Sequence, residues 1–292
     1  MSSQETNWPN FFAVGPPKAG TTSLYAHLKG HPQVFLPEVK EPNYFSTRPG
    51  ISLEDYRRLY RNAEGFPAIG DMTPFYLWDE NTPRRIHAVS PGAKIIVILR
   101  DPIARAFSHY LMLRRTGTDP EPSFEKALQR LERRDDRLWE YSHEYVELGM
   151  YHGQVQRYLD VFGPKQVLTV LFDDLARNPR ELFSQIAGHL GIDSEPLEKG
   201  DIGEARNSFR TARFQSLYLR LRDSRAKKFM MQHLPERVQN WLRESPVLYG
   251  KGNRPELDRA SKKLLQEIYE PDVSRLEKLL GRSIPELRKS WA

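Results

Sequence analysis

The sequence predicts an α/β fold: a three-layer sandwich with a central parallel sheet, helices on both of its faces and a helical C-terminal part. Through the first two thirds of the 292 residues, short apolar runs alternate with amphipathic segments, which is the pattern of strand–helix–strand units. One run, KIIVIL at 94–99, is almost entirely apolar and does not alternate with polar residues, as expected for a strand that is buried on both faces.

The other elements follow from the same periodicities. Gly15 and the two prolines after it close the first apolar run, and Gly30 ends the helix that follows. Ser52 is placed to cap a helix that has acidic residues in its first turn. The predicted strands are 11–15, 33–37, 68–74, 94–99 and 166–172, and the predicted helices are 22–29, 52–62, 79–89, 102–111, 153–163, 178–191, 255–269 and 271–280.

Asp101 and Pro102 follow the strand at 94–99. Aspartate is a preferred helix N-cap, and proline is favoured at the first helical position because its missing N–H costs nothing there. An apolar strand that ends in an acid also occurs where ATPases hold magnesium. The adjacent proline favours the helix cap over the magnesium ligand.

No internal repeat, low-complexity tract or linker interrupts the chain, so we predict a single domain over 1–292. After about residue 200 only helices and loops are predicted. The arginine-rich segment 205–228 has a charge pattern that predicts exposure, as expected for a mobile flap.

The composition excludes several kinds of site. The chain has no cysteine, which excludes disulfides, thiolate zinc sites and cysteine nucleophiles. Of its eight histidines, His109 and His152 lie near the site motifs, and neither has a partner spacing that implies a metal site. No apolar run is long enough to span a membrane and no signal peptide is evident, so we expect a cytoplasmic protein. The net charge of +6 suits a polyanionic ligand, although a solvated arginine-rich surface explains it equally well.

The segment GPPKAGTT at 15–22 has the layout of a phosphate-binding loop, which makes the predicted sandwich P-loop-like. A turn between a strand and a helix offers backbone N–H groups to an anion, and Thr21 and Thr22 add hydroxyl donors. In ATP-dependent P-loop enzymes a lysine directly follows the second glycine, whereas here Lys18 precedes Gly20 by two positions. The pattern favours phosphate binding over a plain turn that starts a helix.

Arg100 and Ser108 indicate a second anion site. Arg100 lies at the carboxyl end of the strand 94–99, where open α/β sheets place their ligands. Ser108 follows about two helical turns later. An arginine at this position also fits an ordinary salt bridge, so both interpretations stay open.

Several segments, in order along the chain, resemble the sulfotransferases that use 3′-phosphoadenosine 5′-phosphosulfate (PAPS). The resemblance is closest to the heparan-sulfate-type branch, which sulfates carbohydrates. It implies a P-loop-like fold, PAPS as the donor without a metal, and a small-molecule or glycan acceptor. The lack of cysteines and of a membrane anchor favours a bacterial, cytosolic member of the family. The segments are GPPKAGTTSL (15–24), KEPNYF (40–45), LRDPIARAFSHY (99–110), GMYHGQVQRYLDVFG (149–163) and GKGNRPELDRASKKLLQEIYEPDVSRLEKLL (250–280).

The resemblance also implies roles for individual residues. Lys18 would stabilise the bridging oxygen as it leaves, and Glu41 would take the proton of the acceptor hydroxyl. Pro42 biases the backbone of Glu41 toward an extended conformation. The implied donor-binding residues are Lys18, Ala19, Gly20, Thr21, Thr22 and Ser23 at the 5′-phosphosulfate, Arg100 and Ser108 at the 3′-phosphate, and Lys251, Gly252, Asn253 and Arg254 over the nucleotide.

Three positions depart from the pattern of that family. Asn253 stands where the family has an arginine, and Asn43 stands where some relatives have a histidine. Met72 stands where related enzymes have a basic residue before a Thr-Pro segment. A cation missing at position 72 would have to be supplied by Lys40 or by an arginine elsewhere.

Two other functions are weighed against the sulfotransferase. A P-loop kinase that uses ATP with magnesium predicts a lysine directly after Gly20, where Thr21 stands. A non-enzymatic module that binds nucleic acid or acidic glycan predicts salt-dependent polyanion binding without a nucleotide. The ordered motifs favour the sulfotransferase, with no nucleic-acid partner and no membrane span, and leave the acceptor and the oligomeric state unassigned.

Overall fold

The computed structural model describes residues 8–116, 118–129, 144–199, 211–212, 249–250 and 255–291. The chain groups into two compact units. The first unit comprises 1–106, 146–204 and 263–292, and the second comprises 107–145 and 205–262. The single domain over 1–292 stays a prediction.

A parallel five-stranded sheet forms the centre of the first unit. Its strands are β1 (Phe11–Val14), β2 (Val34–Phe35), β3 (Ala68–Asp71), β4 (Lys94–Leu99) and β5 (Val167–Leu171), in the spatial order β2–β3–β1–β4–β5. Because the strands are parallel, their carboxyl ends meet at one edge. The loops after β1, β3, β4 and β5 therefore share that edge.

The helices alternate with these strands as predicted. In the first unit, α1 (Thr21–Lys29), α2 (Leu53–Leu59), α3 (Thr82–Val89), α6 (Tyr151–Phe162), α7 (Asp174–Arg177), α8 (Pro179–Leu190) and α9 (Glu195–Lys199) connect or follow the strands. Short 3₁₀ turns lie at Pro74–Leu77, Glu147–Gly149 and Pro285–Arg288. The described residues also form the helices α4 (Pro102–Thr116), α5 (Phe124–Gln129) and α10 (Arg259–Leu280).

Successive residues of the strands point into two different cores, which confirms the sandwich. Odd and even positions of β1 and β4 separate cleanly, as a sheet covered on both faces requires. One core combines these strands with α2, α3, α6 and α10, and the other with α1 and α8. The first core contains Phe12, Val14, Ile95, Val97 and Leu99, and the second contains Phe11, Ala13, Ile96 and Ile98.

The prediction of two helices that meet at Pro271 is wrong. The helix α10 runs through Pro271 without ending there. A proline inside a helix removes one hydrogen bond, but Tyr269 and Val273 on its two sides are both fully buried. Packing on both sides of Pro271 therefore outweighs the tendency of proline to end a helix.

The described part of the second unit has its own aromatic cluster. The ring of Phe124 lies 5.3 Å from that of Phe107, 4.9 Å from that of Tyr110 and 5.8 Å from that of Tyr145. The hydroxyl of Tyr145 donates to Asp119 at 2.6 Å. Two short strands of this unit, β6 (Thr211–Ala212) and β7 (Tyr249–Gly250), pair in antiparallel fashion.

Asp101 is a helix cap, as the sequence indicated. Its Oδ1 accepts the backbone N–H groups of Ile103 at 2.9 Å and Ala104 at 3.0 Å, in the first turn of α4. Its Oδ2 accepts the N–H of Ser290 at 2.7 Å, and the side chain is almost fully buried. Both carboxylate oxygens are thus committed to backbone donors of the first unit.

We expect Asp101→Ala to lower the free energy of unfolding by about 2–4 kcal/mol, because three backbone N–H groups lose their acceptor. The measurement is urea unfolding followed by circular dichroism. Asp101→Asn keeps one acceptor oxygen and should lose no more than about half as much. Equal losses for the two variants would show that the carboxylate does not act as a cap.

Candidate active site

The loop between β1 and α1 is the centre of the candidate site. It turns sharply at Lys18, with φ 74°, and at Gly20, with φ 91°. The helix α1 begins directly afterwards at Thr21, and its N-cap residue, Gly20, has no side chain that could accept the first backbone N–H groups. The predicted strand–turn–helix arrangement of a phosphate-binding loop is therefore present. Ala19 is fully buried, Ser23 is half-buried and Thr22 is exposed.

Gly20 is required for two separate reasons. Its positive φ lies in the left-handed region, which side chains avoid. A Cβ atom at this position would lie 2.5 Å from Cδ2 of Phe172 and 2.9 Å from Cδ1 of Leu175. The loop consequently approaches the residues that follow β5 more closely than any other residue type would allow.

Arg100 is attached to this loop. Its guanidinium donates to the backbone carbonyl of Lys18 at 2.7 Å and lies 4.4 Å from the centre of the Phe172 ring. The backbone carbonyl of Arg100 accepts the hydroxyl of Tyr151 at 2.8 Å. The structure thus brings the guanidinium of Arg100 to the backbone of Lys18, which lies 82 residues away in the sequence.

Glu41 is linked to the first turn of α1 through its neighbour Lys40. The ammonium of Lys40 donates to the hydroxyl of Thr22 at 3.2 Å and forms an ion pair with the carboxylate of Glu41. About a third of the Glu41 side chain is exposed. The candidate base and the first turn of α1 are therefore linked by one ammonium group.

The expectation of an extended backbone at Glu41 is wrong. Glu41 has φ 61° and Asn43 has φ 58°, both in the left-handed region. The side-chain amide of Asn43 donates to the carbonyl of Glu41 at 2.7 Å, and the N–H of Gly50 donates to the carbonyl of Asn43 at 3.1 Å. These hydrogen bonds outweigh the preference that Pro42 imposes on the residue before it.

The buried carboxylate of Asp71, at the end of β3, supports the loop that contains Glu41 and Phe45. It accepts hydroxyl groups from Thr73 at 2.7 Å, Tyr56 at 2.9 Å and Tyr76 at 3.1 Å. The hydroxyl of Tyr76 in turn accepts the backbone N–H of Phe45 at 3.1 Å. Burial raises the pKa of Asp71 from 3.8 to about 6, and the nearby charge of Glu41 adds to the rise.

Met72 takes no part in the polar site. Its side chain is 2% exposed and belongs to the core that includes Val34 and Leu36. The position that departs from the resembled pattern is therefore filled by a core residue.

Some predicted site residues are not tested by these contacts. Ser108 lies on α4 in the second unit, where it is half-buried, so its pairing with Arg100 stays a prediction. Lys251, Gly252, Asn253 and Arg254 lie outside the described residues, and so does the segment 205–228 except for 211–212. Within the described ranges, no group of three or more histidine or acidic side chains is arranged to hold a metal ion.

Sequence reasoning missed Phe172, Tyr151 and Asp71. Phe172 and Asp71 have a usable signal, since each stands at the carboxyl end of an apolar run, where ligands of parallel sheets bind. The role of Tyr151 depends on a contact with Arg100 across 51 residues, which the sequence does not reveal.

A parallel sheet with a glycine-containing strand–turn–helix unit at its carboxyl edge is typical of nucleotide-binding α/β proteins. Within that class, residues 9–279 match the model of the family described as "Sulfotransferase domain", and the chain belongs to this family.

Several characterised proteins are similar to the chain. Human carbohydrate sulfotransferase 15 is 26% identical over 245 residues, covering 63% of this chain and 44% of that protein. Mouse heparan sulfate glucosamine 3-O-sulfotransferase 3A1 is 31% identical over 185 residues, covering 63% of this chain and 46% of that protein. The chain thus spans less than half the length of these curated relatives.

Among solved structures, a sulfotransferase from Alicyclobacillus acidocaldarius resembles the whole chain. The two share 28% sequence identity and a TM-score of 0.69, over 97% of this chain and 98% of that one. The sulfotransferase domain from the curacin biosynthetic pathway shares the fold, with a TM-score of 0.51 and 15% identity. The predicted α/β sandwich and the resemblance to sulfotransferases are confirmed.

We expect Gly20→Ala to lower the free energy of unfolding by about 2–4 kcal/mol, because the new methyl group meets Phe172 and the backbone stays in the left-handed region. Gly30→Ala is the matched control, since Gly30 has φ −79° and the nearest atom to its added Cβ is 3.7 Å away. It should change the stability by less than about 1 kcal/mol. Urea unfolding of both variants measures the two losses of stability. Equal losses would contradict the close contact between Gly20 and Phe172.

We expect Asp71→Asn to change how stability depends on pH. Between pH 3.8 and about pH 6 the folded wild type keeps the Asp71 proton while the unfolded chain loses it. Raising the pH through this window therefore destabilises the wild type relative to the variant. The unfolding free energy of wild type minus that of Asp71→Asn should fall by up to about 3 kcal/mol from pH 4 to pH 7.

Urea unfolding at half-unit pH intervals measures this difference, and the other titrating groups cancel in it. A difference that is constant or that rises with pH would contradict the buried-carboxyl interpretation.

Proposed function

We propose that this protein is a sulfotransferase that moves a sulfuryl group from PAPS to an acceptor hydroxyl, on a carbohydrate or glycoconjugate. The observation that carries the proposal is the ion pair of Lys40 and Glu41 at Thr22. It places a carboxylate beside the helix end where a phosphate group would bind. The names of the relatives, which include carbohydrate sulfotransferases, support the choice of acceptor class.

The loop residues fit a donor that carries phosphate and sulfate groups. Backbone N–H groups at the start of α1, with the hydroxyls of Thr21, Thr22 and Ser23, would bind the 5′-phosphosulfate. Gly20 fits this role because its missing side chain lets the backbone approach Phe172 closely. Arg100, fixed by its bond to the carbonyl of Lys18, would bind the 3′-phosphate together with Ser108. We propose that residues 251–254 close over the bound nucleotide.

The reaction would be a single in-line displacement. The acceptor oxygen attacks sulfur, so a new O–S bond forms as the bridging S–O bond breaks. Glu41 takes the acceptor proton, and Lys18 stabilises the negative charge on the bridging oxygen, which leaves as part of 3′-phosphoadenosine 5′-phosphate (PAP). Stabilising a charge that develops only in the transition state raises the rate. We assign no metal to this reaction and propose a cytoplasmic location, which rests on the cysteine-free composition.

The two other functions are less well supported. A P-loop kinase would need a lysine where Thr21 stands, and the acid after β4, Asp101, has both oxygens bonded to backbone N–H groups. A polyanion-binding module would give no reason for a carboxylate at the start of α1.

The test of the donor is calorimetric titration with PAP and, separately, with ATP and magnesium. We expect wild type to bind PAP without metal, and Arg100→Ala to weaken that binding roughly 10- to 100-fold, because a charge-assisted contact is lost. Arg84→Ala, at an exposed arginine of α3, is the matched control and should bind PAP as wild type does.

Transfer is measured with radiolabelled PAPS and an N-acetylheparosan hexasaccharide. Glu41→Gln should lower kcat by about 10²–10⁴ with little change in PAP affinity, since the base is lost and the donor site is kept. A preference for ATP with magnesium over PAP would favour the kinase instead. Salt-sensitive binding of the hexasaccharide without any PAP binding would favour the polyanion-binding module.

A further inference from the structure

We infer that Lys40 is a further catalytic residue, whose ammonium group binds the sulfuryl group while it passes from donor to acceptor. The inference rests on the proposed function and adds to it the cation that contacts the transferred group itself. Lys18 is assigned to the leaving oxygen and Arg100 to the 3′-phosphate, so neither of those assignments supplies this contact.

The position of the Lys40 ammonium supports this role. It lies 3.2 Å from the hydroxyl of Thr22, which belongs to the proposed phosphosulfate site, and it is paired with Glu41, the proposed base. In the proposed in-line displacement, sulfur moves from the phosphosulfate site at Thr22 to the acceptor oxygen beside Glu41. The ammonium therefore stands beside the path of the transferred group.

Lys40 can keep both of these contacts and still bind substrate. An ammonium group has three N–H donors, and two of them are used by Thr22 and Glu41. The third can reach an oxygen of the sulfuryl group. Only a fifth of the Lys40 side chain is exposed, so water competes weakly for that contact. The low exposure also makes the electrostatic attraction stronger than it would be in water.

Another lysine–glutamate pair in the same part of the chain shows the contrast. Lys29 is paired with Glu38 at 2.5 Å, but Glu38 is 88% exposed. Lys29 lies in the last turn of α1, at the opposite end of the helix from Thr22. Of these two ion pairs, only that of Lys40 places a cation at the start of α1.

Met72 supplies no cation at this edge of the sheet. The resemblance leads one to expect a basic residue at position 72, and this position is filled by a buried thioether. Lys40 reaches the phosphosulfate site from the neighbouring loop instead. The two positions flank the same carboxyl edge, since β3 ends at Asp71 and Glu41 contributes to the raised pKa of Asp71.

The inference predicts that Lys40 distinguishes PAPS from PAP, because PAP lacks the sulfuryl group. We expect Lys40→Met to bind PAP within about twofold of wild type and to bind PAPS roughly tenfold more weakly, as a charge-assisted contact is lost. Its kcat in the hexasaccharide assay should fall by about 10²-fold or more, with a smaller change in KM for the acceptor. Lys40→Arg should recover part of the PAPS affinity and part of kcat.

Calorimetry with PAP and PAPS gives the first two values without any acceptor, so an unsuitable acceptor does not affect them. Lys29→Met is the matched control and should leave both affinities and kcat unchanged. Equal weakening of PAP and PAPS binding by Lys40→Met would overturn the inference, because it would indicate a structural role at the loop. Unchanged PAPS affinity and kcat would overturn it as well.

The failure of the proposed function gives a different result. In that case wild type itself binds neither PAP nor PAPS, whatever residue stands at position 40. If wild type binds both PAP and PAPS and Lys40→Met behaves as wild type does, the role of Lys40 is refuted and the proposed function stands.

Discussion

The close contact of Gly20 with the ring of Phe172 is the constraint on which the rest of the site depends. The same ring packs against the guanidinium of Arg100, which then bonds to the carbonyl of Lys18. The register of the sheet makes this possible, because Leu99 lies opposite Leu171 and the N–H of Phe172 donates to the carbonyl of Leu99 at 2.7 Å. One aromatic residue thus joins the loops that follow three strands.

Backbone strain is concentrated where chemistry is proposed. Within the described ranges, the residues other than glycine with positive φ are Lys18, Glu41 and Asn43. Each such conformation costs of order 1 kcal/mol or more, so tertiary contacts must hold it. Arg100 holds the carbonyl of Lys18, and the amide of Asn43 holds the carbonyl of Glu41. The proposed leaving-group cation and the proposed base are therefore fixed through their backbones, which leaves their side chains to act on substrate.

The features that could be predicted from the sequence are those whose signal is local. The strand 94–99 has the predicted bounds, Asp101 caps α4, and the glycine-containing turn precedes a helix at the predicted position. Features that depend on distant residues could not be predicted. The left-handed backbone of Glu41 follows from Asn43 and Gly50 against the preference set by Pro42, and α10 passes through Pro271 because both of its halves are buried.

Asp71 and Glu41 show how burial separates a carboxylate that fixes geometry from one that can act as a base. Asp71 is fully buried and accepts three hydroxyl groups, so its carboxylate is enclosed by the protein and acts on Phe45 through Tyr76. Glu41 is a third exposed and is paired with an ammonium, so a substrate hydroxyl can approach it. An enclosed carboxylate fixes geometry, whereas a reachable one can accept a proton. The Lys40 ammonium offsets the negative charge that Glu41 places next to a site proposed to bind an anion.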